Sequence, residues 1–433
     1  MQLTPNLLFP SILKPHSPSL NRARWSRRCS NMASIIAPRT SFSQLINGSF
    51  LLFKCYSQLQ VQPLLRKPSL CRYSSNFSHL KEEMTSRKLP LIYDDMVPGQ
   101  SYRLERSLAS FLPASWTPAS PELPKPSSSE LPPTHHLVYF NPAMPADELL
   151  PDGTDPLQSP GPPFVRRMWA GGSLRFRSFE GPLDTPGMKY PSHGQILLNG
   201  SRWVCHEFIR DMQIKGREGE EKVFVGIERR IGKLDEILEQ QHAAEPAYRD
   251  SAIREWLWTV DEEDFGRTYV IERRNIVFMR ERTPAELLAT KEAVGKPTKM
   301  LKPQNKPDFT HSLTPTASLL FRYSALTFNA HSIHLDPSYC REIEGHRDLL
   351  VHGPLSLTLL VTMLREHLKT LEPPERVLSF DYRNLAPLYA NEPLKLCGRK
   401  VEEGKYELWA ETPEGGVAVK GIARTGPARC ELE

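Results

Sequence analysis

The sequence predicts an α+β fold in which an antiparallel sheet wraps around a central apolar helix. Residues 354–371 have helical length and are apolar nearly all round, which is typical of a helix that is buried on every side. Short runs with strand-like composition follow this helix, at residues 377–383, 394–399, 405–411 and 417–423. Glycine-containing turns separate the last three runs, so these strands are expected to form an antiparallel meander that covers the helix.

An earlier part of the chain has similar strands but shows no comparable helix. Residues 203–215 and 222–230 flank a Gly-Arg-Glu-Gly turn and indicate a hairpin. Residues 173–179 and 269–280 are further strand-like runs. A central helix wrapped by an antiparallel meander is the hot-dog plan. We therefore predict a double hot-dog fold with a degenerate N-terminal half and one active site in the C-terminal half.

Segments of different composition separate the predicted halves. We place the degenerate half at residues 90–283 and the catalytic half at residues 316–426, joined by a polar, proline-bearing linker at residues 284–315. Fourteen prolines in residues 113–163 indicate extended, mostly irregular chain. The cysteines of this body are widely spaced, at Cys205, Cys340, Cys397 and Cys430. This spacing indicates neither a disulfide framework nor a zinc site.

Positive charge is concentrated at the N-terminus. Residues 1–81 contain eleven Lys or Arg and no Asp or Glu, whereas the remaining 352 residues hold 44 basic and 50 acidic residues, a formal net charge of −6. A basic, serine-rich and acid-free segment predicts a mitochondrial presequence and import into the matrix. A disordered tail, or translation from Met32 or Met84, would also explain it. The mildly acidic body argues against nucleic-acid binding, and no apolar run approaches the ~20 residues of a membrane span.

Two histidine-bearing stretches near the C-terminal end indicate the chemistry. Residues 322–337 bring Asn329, His331, His334 and Asp336 into a short segment that ends at a proline. Residues 350–355 read Leu-Val-His-Gly-Pro-Leu and place Gly353 at the start of the apolar helix. Free backbone N–H groups at a helix start favour negative charge. A histidine base beside such a site is what enolate formation next to a thioester carbonyl requires.

These stretches resemble the MaoC-like dehydratase and hydratase family of the hot-dog superfamily. The resemblance places His334 at the motif histidine, Asn329 at the catalytic aspartate and His331 at the motif asparagine. It also places Asp336 in the closing Asp-Pro pair and His352 in the His-Gly step before the helix. Residues 321–336, together with Arg-Arg-Met-Trp-Ala-Gly-Gly at residues 166–172, are similar to the type-2 hydroxyacyl-thioester dehydratases and the related mesaconyl-CoA hydratases.

The resemblance implies a hydro-lyase that converts (3R)-3-hydroxyacyl thioesters reversibly to trans-2-enoyl thioesters, without a cofactor. It implies acyl carrier protein as the carrier, in mitochondrial fatty-acid synthesis. One alternative keeps the chemistry but takes a short branched or dicarboxylic acyl-CoA such as mesaconyl-CoA. A second alternative, motivated by the missing carboxylate, is a subunit that binds acyl thioesters without turnover. The expected partners are the carrier protein or CoA thioester and a second copy of the chain as a homodimer, with no nucleic acid and no membrane.

Asn329 is the main departure from the family motif. An amide cannot act as a general acid or base near neutral pH, although it can orient a hydroxyl or water. We therefore hypothesise that His334 serves both positions: it takes the C2 proton and later protonates the leaving hydroxyl, which Asn329 holds. The N–H of Gly353 stabilises the enolate in this hypothesis. Because one group would work on both positions, the hypothesis predicts syn elimination.

The remaining candidates have weaker support as substrate contacts. Arg322 and Tyr323 are candidates for the substrate phosphate or carbonyl, with strand-end solvation as the alternative. Arg166 and Arg167 are candidates for a phosphopantetheine or nucleotide phosphate, with a surface pair beside a core anchor as the alternative. Asp336 also suits a helix cap, and His352 suits a role in positioning the loop. His331 and His334 could share a metal, but no third ligand lies at useful spacing, so we predict no metal site.

Overall fold

A single antiparallel sheet dominates the computed structural model, which describes residues 77–117, 120–178, 194–238, 246–293 and 300–428. The strands are β1 (Ile92–Asp95), β2 (Arg166–Phe176), β3 (Arg202–Lys215), β4 (Lys222–Lys233), β5 (Val270–Met279), β6 (Phe309–Leu313), β7 (Glu375–Asn384), β8 (Leu394–Glu402), β9 (Lys405–Glu411) and β10 (Val417–Pro427). The helices are α1 (Leu80–Ser86), α2 (Pro98–Leu108), α3 (Leu234–Leu238), α4 (Pro246–Leu257), α5 (Pro284–Ala293), α6 (Ala317–Leu326), α7 (Pro337–Glu342) and α8 (Gly353–Leu368).

The strand order shows that the sheet consists of two copies of one pattern. It runs β1-β3-β4-β5-β2-β7-β10-β9-β8-β6, and each neighbouring pair is antiparallel. We call β1–β5 the first half and β6–β10 the second half. The halves meet where β2 pairs with β7, for example at Ser173 opposite Asp381. Outward from this seam both halves follow the same order, which confirms the predicted double hot-dog fold.

Helix α8 is the core of the second half. Twelve of its sixteen residues are buried, including Leu355, Leu359 and Met363. The sheet of the second half packs on α8 through β7, β8 and β9. The helix ends at Leu368, three residues before the predicted end, and Pro373 and Pro374 follow, which cannot continue a helix.

The described residues of the first half do not enclose an equivalent long helix. Helix α2 follows the edge strand β1 as α6 follows β6, and α2 packs against α6. Between α2 and β2, however, the described residues 109–117 and 120–165 contain only short 3-10 helices, among them His135–Val138. This agrees with the missing helix in the sequence pattern. The proline-rich chain covers the sheet here instead.

Charged side chains occupy part of the first half's interior. Arg229 lies 3.0 Å from Glu207 and 2.8 Å from Glu272, measured between nitrogen and oxygen, and Arg274 lies 2.6 Å from Glu272. We call Glu207, Arg229, Glu272 and Arg274 the charge cluster. Burial by itself raises the pKa of Glu272, but Arg274 and Arg229 outweigh it and hold this pKa well below its ordinary value. Glu272 is therefore ionised at neutral pH.

Strand β2 begins earlier than the sequence pattern predicts. The predicted run started at residue 173, whereas β2 begins at Arg166 and includes Gly171 and Gly172. These glycines do not interrupt the strand, because neighbouring backbones come too close for a side chain there. A Cβ would lie 2.3 Å from the Tyr382 carbonyl oxygen at Gly171 and 2.0 Å from the Arg273 carbonyl oxygen at Gly172.

The segments outside the predicted halves also contain regular structure. The predicted linker, residues 284–315, holds α5 and the strand β6, which pairs with β8 at the edge of the second half. Most of the predicted presequence lies outside the described residues, but Leu80 at its end is buried in the first half. The division of the chain into domains stays a prediction. Within the described ranges no helix combines the length and apolar character needed to cross a membrane.

Candidate active site

His334 lies at the end of a 3-10 helix, Ser332–His334, in the loop after α6. Its Nδ1 is 2.8 Å from the carbonyl oxygen of Leu350. A carbonyl oxygen only accepts, so Nδ1 carries the proton and Nε2 keeps a free lone pair. Burial lowers the pKa of His334 to about 4, although the bond to Leu350 opposes this shift. The ring is therefore neutral at pH 7 and able to accept a proton.

Three imidazole rings pack together at this point, and we call His331, His334 and His352 the histidine cluster. The rings of His334 and His352 are stacked, with centroids 3.6 Å apart and an interplanar angle of 20°. His331 meets His334 edge to face, with centroids 5.6 Å apart. On the far side of the stack, His352 Nε2 lies 2.9 Å from the hydroxyl oxygen of Ser324. The orientation of His334 is thus determined by Leu350 and by the stacked ring.

His352 occupies the N-cap position of α8 without a side-chain capping hydrogen bond, and its stacked ring brings the start of that helix beside His334. Gly353 is the first helical residue, and its backbone N–H has no hydrogen-bond acceptor among the described residues. A Cβ at this position would lie 2.9 Å from Asn384 Nδ2 and 3.3 Å from Trp169 Cβ. Glycine is therefore needed for the helix start to approach the seam between β2 and β7. The free N–H and the helix dipole make this a site for a developing negative charge.

Asn329 is half-buried in the loop between α6 and the histidine cluster. Its side-chain oxygen accepts a hydrogen bond from the backbone N–H of His331 at 3.1 Å. This contact shapes the turn that presents His331 and His334. The oxygen of the amide thus already accepts one hydrogen bond from the loop, and the amide N–H groups remain available to a substrate hydroxyl.

The structure brings a carboxylate to the histidine cluster that the sequence analysis did not anticipate. Asp152, from the proline-rich segment, has its Oδ2 3.5 Å from Nε2 of His331, and both side chains are buried. The backbone carbonyl of Asp152 accepts from Ser332 N–H at 2.8 Å. The local sequence, Pro-Asp-Gly-Thr, signals only a turn. No spacing in the chain connects it to the histidines, so sequence reasoning had no signal for this contact.

Three other candidate residues from this part of the sequence differ in their exposure and their contacts. Tyr323 is buried, and its ring centroid is 5.0 Å from that of His352. Arg322 is exposed on α6. Asp336 is exposed and caps α7, because its Oδ1 accepts from the N–H groups of Ser338 at 2.7 Å and Tyr339 at 3.1 Å. Asp336 therefore acts as a helix cap in this structure.

The arginine pair at the start of β2 is engaged within the protein. Arg166 is buried and donates two hydrogen bonds to Glu344, at 2.6 and 2.8 Å. This pairing engages Nε and Nη2 of the guanidinium with a carboxylate, and a phosphate contact by Arg166 stays a prediction. Arg167 donates to the Asp155 carbonyl at 3.0 Å and lies over the ring of Phe278.

The arrangement suits proton abstraction next to a carbonyl. It combines a neutral, oriented imidazole with an unpaired backbone N–H at a helix start, which is where an enolate oxygen would be stabilised. Among the described residues, no group of three His, Cys, Asp or Glu side chains is arranged to hold a metal ion.

Comparison with known proteins agrees with this chemistry. The family model described as hydroxyacyl-thioester dehydratase type 2 matches residues 134–255 and 250–390. A mesaconyl-C(4)-CoA hydratase of Chloroflexus aurantiacus is 29% identical over 321 residues, which cover 74% of this chain and 92% of that protein. A mitochondrial hydroxyacyl-thioester dehydratase type 2 of Schizosaccharomyces pombe is 28% identical over 301 residues, 68% of this chain and 85% of that protein.

Two further similarities are partial. The mitochondrial hydroxyacyl-thioester dehydratase type 2 of Saccharomyces cerevisiae is 35% identical over 129 residues, 30% of this chain and 40% of that protein. A crystal structure of a MaoC-like dehydratase from Phytophthora capsici aligns with a TM-score of 0.49 and 14% identity, over 80% of this chain and 99% of that one.

Proposed function

The chain belongs to the hydroxyacyl-thioester dehydratase type 2 family, and on this premise we propose that it interconverts (3R)-3-hydroxyacyl thioesters and trans-2-enoyl thioesters. The activity is that of a hydro-lyase. The observation that carries the proposal is the neutral ring of His334, with Nε2 unpaired among the described residues, beside the free N–H of Gly353. A general base and an enolate-stabilising donor are the two elements that removal of the C2 proton requires.

In the dehydration direction, Nε2 of His334 takes the proton from C2 of the acyl group. The electrons of that bond move toward the thioester carbonyl, and the N–H of Gly353 stabilises the resulting enolate oxygen. A donor of this kind typically contributes about 10²- to 10³-fold to the rate, and a positioned base about 10²- to 10⁴-fold. The enolate then expels the 3-hydroxyl, which leaves as water once it has received a proton.

We further propose that the substrate is linked to acyl carrier protein and that the protein works in the mitochondrial matrix. The similarity to two yeast proteins named as mitochondrial supports the compartment. The basic, acid-free residues 1–81 also support it. Protease protection of the full-length protein in intact and in osmotically shocked mitochondria tests the matrix location.

A dicarboxylic or branched acyl-CoA is the second candidate substrate. It is favoured by the similarity to the Chloroflexus mesaconyl-C(4)-CoA hydratase, which extends over 92% of that protein. Hydration rates of mesaconyl-CoA and of 2-enoyl thioesters on CoA and on acyl carrier protein distinguish the two candidates. Preference for carrier-linked enoyl groups is the expected result, and preference for mesaconyl-CoA would favour the second candidate.

Replacing His334 tests the catalytic assignment. We expect His334→Ala to lower kcat by at least about 10²-fold, because the base for the C2 proton is lost. His206→Ala is the matched control, because burial also lowers the pKa of His206 to about 4 but this residue lies on β3, outside the histidine cluster. The control is expected to keep kcat within about threefold, since burial alone does not make a catalytic base. A smaller loss of kcat in His334→Ala would refute the assignment. If the unmodified protein turned over no thioester, it would be the binding subunit considered as the second alternative.

A further inference from the structure

Asp152 carries a buried carboxylate oxygen that the fold does not account for. Oδ2 is shielded from solvent and has no hydrogen-bond partner in the described protein. A buried polar oxygen without a partner is uncommon in folded proteins, because it loses its hydrogen bonds to water without replacement. A carboxylate oxygen left in this way is a candidate for a functional role.

The two oxygens of Asp152 have different surroundings. Oδ1 accepts from the backbone N–H of Thr154 at 3.0 Å and from its hydroxyl at 2.5 Å, and these bonds shape the turn. Oδ2 takes no part in the turn and faces Nε2 of His331 at 3.5 Å. The structural role of the residue is therefore satisfied by one oxygen, and the other is left for the histidine cluster.

The turn is held tightly against the active-site loop. A Cβ at Gly153 would lie 2.2 Å from the carbonyl oxygen of Ala330, so the two backbones are in close contact. The hydrogen bond from Ser332 N–H to the Asp152 carbonyl joins them directly at 2.8 Å. Asp152 is consequently placed by backbone contacts next to the 3-10 helix that carries His334.

The charged and titratable groups around His331 come from several elements. Burial lowers the pKa of His331 well below its ordinary value, with further lowering by His334 and by Arg167 on β2. His352, at the start of α8, is itself kept neutral by burial, which lowers its pKa in the same direction. Oδ2 of Asp152 faces Nε2 of this ring at 3.5 Å, and a carboxylate beside an imidazole favours the imidazolium form.

We propose that Asp152 acts through His331 as the carboxylate of this active site, so that the 3-hydroxyl exchanges its proton with His331 while His334 serves only C2. The proposal rests on the proposed function and replaces the hypothesis of a single base. Asp152 is a positioning residue here: it orients His331 and stabilises its charged form. The carboxylate absent at Asn329 is thereby supplied from the first half of the chain.

The steps balance without any co-reactant. In dehydration, His334 Nε2 accepts the C2 proton and the C2–H electron pair forms the enolate. The enolate electrons then form the C2=C3 double bond as the C3–O bond breaks, and the leaving oxygen takes a proton from the His331 imidazolium to become water. His334 has gained one proton and His331 has lost one, and exchange with solvent restores the starting state. Hydration follows the same path in reverse.

A change of leaving group separates this role from a structural one. Chloride leaves without a proton, so a 3-chloroacyl thioester of the same spatial arrangement needs His334 but not His331. We expect Asp152→Asn in the full-length protein to lower kcat/KM about 10²-fold for the 3-hydroxy substrate and less than about threefold for the 3-chloro substrate. His331→Gln should show the same split, and it keeps the proposal testable if Asp152→Asn does not fold. Asp155→Asn, three residues away, is the matched control and should change neither rate.

The pH profile provides a second readout. In the proposed mechanism dehydration needs charged His331, and a carboxylate 3.5 Å from the ring favours that form. The alkaline limb of kcat/KM should therefore move to lower pH, by about one unit or more, in Asp152→Asn. Equal losses on both substrates, or an unmoved alkaline limb, would overturn the proposal. If instead His334→Ala left both substrates unaffected, the proposed function itself would be refuted, so the two failures are distinguishable.

Discussion

The two halves of the molecule share one strand order but fill their interiors in opposite ways. The second half wraps the apolar helix α8, and His334 and His352 at the start of that helix are neutral imidazoles. The first half has no such helix in its described part, and its interior holds the charge cluster, with Glu272 ionised between Arg229 and Arg274.

The difference indicates which buried groups can take part in a reaction and which can only stabilise the fold. A neutral buried histidine can accept a proton at pH 7, and a helix start offers unpaired N–H groups beside it. An ionised carboxylate between two guanidinium groups can do neither, since its charge is already compensated. We infer that the second half supplies the reacting groups and that the charge cluster serves to hold the first half together.

Removing the central cation of the charge cluster tests this division most strongly. Arg229→Met leaves Glu207 and Glu272 buried without their shared partner, so the free energy of unfolding should fall by about 3–5 kcal/mol. Urea unfolding of the full-length protein measures the change. Arg202→Met is the control, because Arg202 pairs with Asp95 at 2.9 Å while both side chains are half-exposed. The control should lose at most about 1 kcal/mol, and similar losses in the two variants would contradict a structural role for the cluster.

The pH dependence of stability separates the two kinds of buried group. The pKa of His334 is lowered to about 4 in the folded state, so the unfolded chain binds the extra proton. Its stabilising contribution is complete above about pH 6.5 and is lost as the pH falls. When the pH falls from about 6.5 to 5, the free energy of unfolding should therefore decrease in both proteins. The decrease should be roughly 1.5 kcal/mol smaller in His334→Gln than in the unmodified protein.

Glu272→Gln is the matched comparison for the change in stability between about pH 6.5 and 5. The folded-state pKa of Glu272 lies well below its ordinary value, so its contribution is present above the unfolded pKa and is lost only at more acid pH. The slope of stability between about pH 6.5 and 5 should therefore be nearly unchanged in this variant. A flattened slope in Glu272→Gln would show that the charge cluster titrates near neutral pH, against our interpretation.

The start of α8 provides the smallest and most local test. Gly353→Ala places a Cβ 2.9 Å from Asn384 Nδ2, so the helix start must shift by a few tenths of an ångström. We expect kcat to fall about tenfold, because the donor for the enolate is misplaced. Adding Asn384→Ala removes the crowded side chain and should restore part of the rate. A double variant slower than Gly353→Ala would place the effect elsewhere.

Much of the second half could be predicted from the sequence. The helix at residues 354–371 and the strands after it are encoded by local hydrophobic periodicity, and these predictions were confirmed to within a few residues. The position of Gly353 at the helix start was likewise visible from Gly-Pro before an apolar run. Such features depend on neighbours in the chain, which is why they can be read without a structure.

The edge strand β6 was not distinguished from a linker by the same reasoning. Residues 309–313 are short and polar on one side, and their place in the sheet comes only from pairing with β8. For Arg166 the sequence left a phosphate contact and a surface pair open, and it did not reveal the pairing with Glu344, which is far away in the chain. In both cases the deciding contact joins residues that local sequence patterns do not relate.

By itself, the sequence determined the double hot-dog fold and the presence of histidines beside a helix start, since periodicity and motif spacing are local properties. Only the tertiary structure decided which groups become partners across the chain: Asp152 with His331, Arg229 with Glu272, and the stacked rings of His334 and His352. These contacts depend on how the two halves and the proline-rich segment pack together. Burial then sets the charge of each group, because the free energy of an ion in the interior depends on its partners there.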